Sequence, residues 1–249
     1  LRIIFYLIIL VLVYLYYLSR DLHSLERLET FDPAMLSTLY DRNGEVIGEF
    51  YIQKRVFVDI EDMPNHLKNA AIASEDKRFY SHWGVDLQSF FRAVVVNVSS
   101  MSFRQGFSTL SQQLARNLYK EVGFKDSITR KLKEMITAIQ IERTYTKDEI
   151  LEMYLNTVHF GHGTYGAESA AKRFFNKNAS DLTIGESAML IGLLPSPANY
   201  SPLRNLNKAI GRRSIVLKLM YNQDFISYQE YMEHNSIVPD NIYYEIPKG

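Results

Sequence analysis

The chain has 249 residues, no cysteine, and 28 basic against 28 acidic residues, so its formal net charge is zero. Zero net charge argues against a nucleic-acid-binding protein that works through a broad basic surface. The absence of cysteine excludes disulfides, thiolate metal sites and cysteine nucleophiles, and the length is enough for one large domain with a full hydrophobic core.

The N-terminal segment 1–18 is almost entirely apolar, with Arg2 as its only charge. A helix needs about 20 apolar residues to cross a bilayer core, with a range of roughly 17 to 25. Tyrosines end the segment, as is typical of the interfacial belt of a membrane protein. We therefore predict a transmembrane helix over 1–18 and a charged juxtamembrane linker over 19–35. A signal-peptide core is the alternative, which the absence of a small-x-small cleavage site disfavours.

A small β element is predicted after the linker. Residues 36–40 and 46–51 flank Asn43 and Gly44, a pair that accepts positive φ and is a strong β-hairpin signal. Residues 56–60 are a candidate for a short third strand.

From Asp62 onward, apolar residues recur at helical spacing. Pro64 is tolerated in a first turn, and the helix that follows is expected to end near Glu75. Four further helices are predicted. One has its N-cap at Ser108, and one contains the apolar stripe of 128–139. The other two begin at the capping boxes Thr146-x-x-Glu149 and Thr183-x-x-Glu186, and the last helix is expected to end at Leu194. The chain is therefore predicted to be mainly α.

The segment 86–103 needs separate treatment, because its apolar residues are not confined to one narrow stripe. Arg92 is its only charge after Asp86. A buried helix is one interpretation. The other, which we favour slightly, is an amphipathic segment that dips into the surface of a bilayer.

Three polar blocks are the most informative part of the chain: EDKRFYSHWG at 75–84, GFSTLSQQ at 106–113 and RKLKE at 130–134. In this order they resemble the signature of the family 51 peptidoglycan glycosyltransferases. Segments 147–156, 160–166 and 170–175 resemble the fourth and fifth motifs of that family. The resemblance runs from Thr38 to Met220 and therefore covers nearly the whole chain after the apolar segment.

The resemblance implies a lysozyme-like, mainly α glycosyltransferase domain over 36–220 that polymerises lipid II, alone or as the N-terminal module of a bifunctional penicillin-binding protein. Residues 221–249 would be a C-terminal extension or the start of a linker to a missing domain. The implied place is the bacterial cytoplasmic membrane, with the catalytic domain on the extracytoplasmic face. The implied partners are lipid II, the growing glycan strand, the lipid bilayer and other cell-wall synthesis or division proteins, with no nucleic acid.

Sugar transfer from a lipid diphosphate needs one carboxylate base and a cluster of cations, because the leaving group needs its charge stabilised and not a proton. A glycosidase instead needs two carboxylates that flank the bond. Glu75 is the candidate base, and a solvated charge at a helix end is the alternative. The resemblance implies that Glu75 deprotonates the 4-hydroxyl of the acceptor N-acetylglucosamine, which attacks the anomeric carbon of the donor with inversion.

Arg130, Lys131 and Glu134 lie on one face of a predicted helix; a surface salt-bridge ladder is the alternative interpretation. The resemblance implies that the two cations bind the donor diphosphate and that Glu134 has a second catalytic role or binds a divalent cation, Mg or Mn. No organic cofactor is expected. Arg116 stands where the family usually has lysine, and arginine can bind phosphate bidentately. The other predicted substrate-binding residues are Asp76, Phe79, His82, Ser108, Thr109, Gln112, Gln113 and Asn156.

Two other functions compete with this interpretation. A lysozyme-like hydrolase or lytic transglycosylase would not need the basic cluster between Arg116 and Lys133, nor an anchor beside its cleft. A non-catalytic membrane scaffold predicts the loss of Glu75 or Glu134, and both are present.

Two further motifs are interpreted as coincidences. Ser169-x-x-Lys172 matches the Ser-x-x-Lys of penicillin-binding transpeptidases, but no Lys-Thr-Gly follows it in the sequence. His159 and His162 suggest a metal site, but no third ligand stands at a recognised spacing.

Overall fold

The computed structural model describes residues 56–100, 108–120 and 128–237, the backbone of 37–40 and 46–50, and a few single positions elsewhere. Contacts divide the chain into two compact units. The first unit consists of 1–31 and 80–150, and the second unit consists of 32–79 and 151–249.

Most of the described residues are helical, as the sequence predicts. The described helices are α1 (Asn65–Glu75), α2 (Leu87–Ser100), α3 (Leu110–Lys120), α4 (Ile128–Thr144), α5 (Lys147–Thr157), α6 (Ala167–Phe175), α7 (Ile184–Leu193), α8 (Pro197–Tyr200), α9 (Leu206–Tyr221) and α10 (Tyr228–Ser236). Short 3₁₀ turns lie at Phe79–Ser81 and Ala179–Asp181.

The predicted hairpin is confirmed. Strands β1 (Ser37–Tyr40) and β2 (Val46–Phe50) pair antiparallel. The prediction of a third strand over 56–60 is wrong, because these residues join no sheet. Their backbone bonds instead to side chains of α5: the Val58 N–H donates to Asn156 Oδ1 at 3.0 Å, and the Ile60 N–H donates to Glu152 Oε2 at 2.7 Å.

A second, smaller hairpin was not predicted from the sequence. Strands β3 (His159–Gly161) and β4 (Thr164–Tyr165) pair antiparallel across a turn in which His162 has a φ of 52°. Gly166 follows with a φ of +81°, and a Cβ there would lie 2.7 Å from the Asn156 carbonyl oxygen. Only glycine fits this backbone conformation and this approach.

The centre of the second unit is α7. All of its residues from Gly185 to Leu193 are buried, and the helix packs against α1, α9 and α10. The capping box predicted at Thr183 is confirmed: its side chain accepts from the Glu186 N–H, and the Glu186 side chain accepts from the Thr183 N–H. The capping box at Thr146 is confirmed in the same way at the start of α5.

In the first unit, α3 packs against α4. The predicted N-cap of α3 is wrong by one residue: Thr109, not Ser108, accepts the Gln112 N–H, at 3.2 Å. The Asp86 carboxylate performs the same role for α2 by accepting the Ser89 N–H at 3.0 Å.

One face of α2 is apolar and exposed. Leu87, Phe91 and Val95 follow one another at intervals of four residues and are 51%, 64% and 64% exposed. The interpretation of this segment as a buried helix is therefore wrong for these side chains, and the amphipathic interpretation fits them. We call these three residues the α2 stripe.

Most of the apolar segment 1–18 lies outside the described residues. Its described positions, such as Tyr14 and Tyr16, are helical and exposed. Over the part of the chain that the structure describes, no helix has the length and apolarity needed to cross a membrane.

Removal of core volume from α7 tests the central role of this helix. We expect Leu190→Ala to lower the free energy of unfolding by about 2–5 kcal/mol, because the side chain is fully buried and its loss leaves a cavity. The matched control is Ile215→Ala on α9, where the side chain is 47% exposed and the expected loss is under about 1 kcal/mol. Chemical denaturation followed by circular dichroism measures both, and equal losses would contradict the assignment of α7 as the core helix.

Candidate active site

Glu75 is the last residue of α1, as predicted. The helix is anchored by a buried face that includes Leu67 and Ile72, and the chain leaves it at Asp76, whose N–H still donates to the Ile72 carbonyl. The Glu75 side chain is half-buried, and the Ser74 hydroxyl donates to its Oε1 at 3.4 Å. The predicted base thus stands at a fixed helix end and not on a mobile loop.

Asp76 and Phe79 follow this helix end directly. Both are buried, and the Phe79 N–H donates to the Asp76 carbonyl at 3.0 Å to start the 3₁₀ turn. Both residues thus shape the backbone after Glu75, and their contact with substrate stays a prediction. Glu75, Asp76 and Phe79 belong to the second unit.

The strongest electrostatic feature lies in the first unit, around Glu134 of α4. Its carboxylate has no solvent exposure, and three cations contact it. Arg116 Nε and Arg130 Nε lie 3.3 and 3.2 Å from Oε1, and Lys131 Nζ lies 3.4 Å from Oε2. The interpretation of this segment as a solvated surface ladder does not fit a fully buried carboxylate. We call these four residues the Glu134 cluster.

A buried carboxylate is stable only when it is paired and hydrogen-bonded, so Glu134 needs its cations. The cations, in turn, outnumber it and keep part of their surface open: the side chains of Arg116, Arg130 and Lys131 are 33%, 17% and 25% exposed. The cluster therefore has a net positive charge that an anionic ligand can reach.

Lys131 is fixed by the start of α3 as well as by Glu134. Its Nζ donates to Ser108 Oγ at 2.8 Å and to Gln112 Oε1 at 3.1 Å. Burial lowers the pKa of Lys131, and the neighbouring Arg116 and Arg130 lower it further, while Glu134 raises it. A cation beside other cations gains more from an incoming anion than an isolated lysine does.

Ser108 and Gln112 therefore contact Lys131, whereas the Thr109 hydroxyl contacts the Gly84 carbonyl and the Gln112 N–H. Contact of these residues with substrate stays a prediction. Arg116 Nη2 also lies 3.5 Å from Ser108 Oγ. Gln113 stands half-buried on the next position of the helix. These residues combine hydroxyl, amide and cationic groups at the first turn of a helix, which is a chemistry suited to phosphate oxygens.

His82 is buried in the turn that follows the 3₁₀ helix. Its Nδ1 accepts the Gly84 N–H at 3.1 Å, and the Gly84 carbonyl accepts the hydroxyl of Thr109 at 2.6 Å and the amide of Gln112 at 3.4 Å. His82 is thus connected with the start of α3 through the backbone of Gly84.

Sequence reasoning missed Glu142 and Lys147, which lie beside this turn. Lys147 Nζ lies 2.7 Å from both Glu142 Oε2 and the His82 carbonyl, and Ser111 Oγ donates to Glu142 Oε1. Lys147 is the first residue of the segment that resembles the fourth family motif, but for its pairing with Glu142 only a common spacing was available as a signal.

Asn156 lies in the second unit, and its described contacts are with the backbone. Its Oδ1 accepts from Val58, and its Nδ2 donates to the carbonyls of Val58 at 2.8 Å and Glu152 at 3.0 Å. These contacts hold the extended segment 56–58 in the way a strand would. A direct contact of Asn156 with substrate stays a prediction.

The residues interpreted as coincidences have other contacts. His162 Nε2 lies 2.8 Å from Ser201 Oγ, and the His159 ring packs on Tyr165. Lys172 Nζ donates to Asn178 Oδ1 at 2.6 Å. Within the described ranges no group of three or more His, Asp or Glu could hold a metal ion.

The surroundings of Glu134 also bear on the predicted divalent cation. Mg²⁺ and Mn²⁺ prefer several oxygen ligands, whereas the described partners of this carboxylate are cations. The described residues around Glu134 therefore do not fit a resident divalent ion. A role for Mg or Mn in the reaction stays a prediction.

The family described as Transglycosylase matches residues 43–221. The chain belongs to this family, that of the family 51 peptidoglycan glycosyltransferases. It is therefore a glycosyltransferase by family, and the order of its polar blocks is explained.

The curated relatives of this glycosyltransferase include Penicillin-binding protein 1A of Neisseria gonorrhoeae, which is 42% identical over 224 residues, and Penicillin-binding protein 1A of Aquifex aeolicus, which is 39% identical over 222 residues. The alignments cover 90% and 89% of this chain but 27% and 30% of the relatives. Among solved structures, Penicillin-Binding Protein 1A from Haemophilus influenzae aligns over 84% of this chain and 21% of its own, with 23% identity and a TM-score of 0.48.

Loss of the central anion tests the Glu134 cluster. We expect Glu134→Gln to lower the free energy of unfolding by about 1–3 kcal/mol, less than the full cost of breaking a buried pair, because the remaining cations are partly exposed. Inorganic pyrophosphate should raise the melting temperature of this variant more than that of the parent, since it replaces the missing charge. The control is Glu233→Gln on the exposed surface of α10; an equal pyrophosphate effect in all three proteins would contradict the cluster as an anion site.

Proposed function

We propose that this glycosyltransferase polymerises lipid II into β-1,4-linked glycan strands for the bacterial cell wall. The single observation that carries the proposal is the Glu134 cluster, a net positive site beside hydroxyl and amide groups at a helix start. A polyprenyl-diphosphate leaving group needs this environment, and the hydrolysis of a finished glycan does not.

In the proposed reaction, Glu75 takes the proton from the 4-hydroxyl of the acceptor N-acetylglucosamine. The acceptor oxygen then bonds to the anomeric carbon of the donor N-acetylmuramic acid, and the bond from that carbon to the diphosphate oxygen breaks with inversion. The electron pair leaves with undecaprenyl diphosphate. Arg116, Arg130 and Lys131 stabilise its charge, and Glu134 keeps these cations in place.

The proposed domain is lysozyme-like and extends over 36–220; the family match over 43–221 supports the proposed extent. We propose that 1–18 anchors it in the bacterial cytoplasmic membrane and that the α2 stripe contacts the outer surface of the same bilayer. Such a stripe on an otherwise folded surface is typical of an interfacial segment. We also propose that residues 221–249 lead to a further domain, since the alignments cover only 27% and 30% of the Penicillin-binding protein 1A relatives. Division or cell-wall synthesis proteins are the proposed partners.

Substitution of the base tests the reaction. We expect Glu75→Gln to reduce polymerisation of purified lipid II by about 10²- to 10⁴-fold, which is the usual contribution of a positioned base, with products separated by length. The control Glu233→Gln should polymerise as the parent does. Polymer from neither protein together with cleavage of preformed glycan would favour the hydrolase, and full polymerisation by Glu75→Gln would remove Glu75 as the base.

The membrane contact has its own test. The variants are compared in a form of the protein without residues 1–18, because the proposed anchor would by itself hold the full chain on the vesicles. We expect Phe91→Ser to weaken binding of this form to phospholipid vesicles in flotation assays while leaving its unfolding free energy within about 0.5 kcal/mol of the parent, because the side chain is exposed. Ile215→Ser removes an exposed isoleucine on α9 and serves as the matched control. Equal flotation of both variants would contradict the role of the α2 stripe.

The lowered pKa of Lys131 gives a pH prediction. Lys131 loses its proton at a lower pH than an ordinary lysine, so affinity for inorganic pyrophosphate should fall as the pH rises through that lowered pKa. Lys131→Arg should move this fall to higher pH, because arginine keeps its charge. Calorimetric titrations across the alkaline range measure the difference. An identical pH profile in both proteins would show that Lys131 does not bind the diphosphate.

A further inference from the structure

A partly buried ion pair outside the Glu134 cluster has no part in the reaction described above. Glu142 lies near the end of α4 and Lys147 is the first residue of α5. The Glu142 side chain is 6% exposed, and its Oε2 lies 2.7 Å from Lys147 Nζ. The Lys147 side chain is 22% exposed. A largely buried ion pair is often no more stabilising than apolar residues would be, so its contacts need an explanation beyond stability.

Hydrogen bonds connect the pair with two segments, the turn at 82–84 and the first turn of α3. Lys147 Nζ donates to the His82 carbonyl at 2.7 Å, and Ser111 Oγ of α3 donates to Glu142 Oε1. His82 Nδ1 faces the same carboxylate oxygen at 3.8 Å. The turn after the 3₁₀ helix and the first turn of α3 are therefore attached to one ion pair.

From this point a chain of contacts leads to Lys131. The Gly84 N–H donates to His82 Nδ1, and the Gly84 carbonyl accepts from Thr109 and Gln112. Gln112 Oε1 in turn accepts the Lys131 ammonium at 3.1 Å. The side-chain amide of Gln112 thus makes a hydrogen bond through its nitrogen and another through its oxygen. Its orientation therefore depends on the position of Gly84.

The Gly84 turn itself cannot shift toward α4. Its φ is +100°, and a Cβ there would lie 2.7 Å from the Ala138 carbonyl oxygen. The turn lies directly on the backbone of α4, and the Lys147 contact holds its other side.

We propose that Glu142 and Lys147 are positioning residues for the diphosphate site: they fix the 82–84 turn and the start of α3, and through Gln112 they set the place of the Lys131 ammonium. Neither residue contacts the Glu134 cluster through any described bond. The role rests on the proposed function for its ligand, but the position of Lys131 can be measured without any ligand.

The first measurement is the titration of Lys131 by pH-dependent acetylation with peptide-resolved mass spectrometry. Burial is the main cause of the lowered pKa of Lys131. A looser start of α3 exposes the ammonium, so Lys147→Met should raise the pKa of Lys131 toward its ordinary value. Lys147→Arg keeps a charged donor and should restore the titration of the parent at least in part.

The second measurement is the affinity for inorganic pyrophosphate, at a temperature where every variant is folded by circular dichroism. We expect a loss of about tenfold in Lys147→Met, since one lysine contact to a diphosphate is displaced. The double variant Glu142→Gln/Lys147→Met removes both buried charges and should recover much of the stability, yet keep the loss of affinity. This separates positioning from folding.

The matched control is Lys177→Met, which breaks another lysine–glutamate pair, with 2.9 Å between Lys177 Nζ and Glu186 Oε1, in the second unit. It should leave both the Lys131 titration and the pyrophosphate affinity as in the parent. If Lys147→Met and the double variant lose stability but keep both readouts, the pair is only structural and the proposal is overturned. Failure of the parent to polymerise lipid II would overturn the proposed function, while a shifted Lys131 titration would still support the positioning role.

Discussion

The burial of one carboxylate constrains how α3 and α4 pack together in the first unit. Glu134 lies on the inner side of α4, and a charge without water must find its partners within the protein. Arg116 reaches it from α3, and Arg130 and Lys131 reach it from its own helix. Like charges held this close repel one another, so a ligand that supplies negative charge would stabilise the cluster. Preorganised charge of this kind is usually the largest contribution to catalysis of charge-separating reactions.

Beside this cluster, polar contacts join segments that are far apart in the sequence. The 82–84 turn, the start of α3 and the two ends of the α4–α5 connection meet through short polar contacts, and few of these contacts are between helices alone. Glycine at position 84 is required because the turn lies on the backbone of α4. The packed α3 and α4 therefore give a rigid support, while the polar contacts between turns set the positions of individual groups.

Local signals in the sequence predicted local structure well. The capping boxes at Thr146 and Thr183 and the end of α1 at Glu75 depend on residues within one helical turn, and all three are confirmed. The prediction of a third strand was wrong because the side chain of Asn156, nearly a hundred positions away, makes the backbone hydrogen bonds of Val58 that a neighbouring strand would make. The interpretation of 130–134 as a solvated salt-bridge ladder was wrong for a similar reason. The same spacing occurs in a surface ladder and around a buried carboxylate, and the contact that distinguishes them comes from Arg116 on another helix. The partner of Lys147 at position 82 could not be predicted from spacing alone.

The α2 stripe has a practical consequence for any preparation of this protein. In water, three large apolar side chains on one helix face remain uncovered, and the lowest free energy for such a face is reached by covering it with detergent, lipid or another copy. Hydrodynamic size in dilute buffer should therefore depend on protein concentration and on detergent. Oligomers observed without a bilayer mimic would report this exposed face and not the assembly of the protein at a membrane.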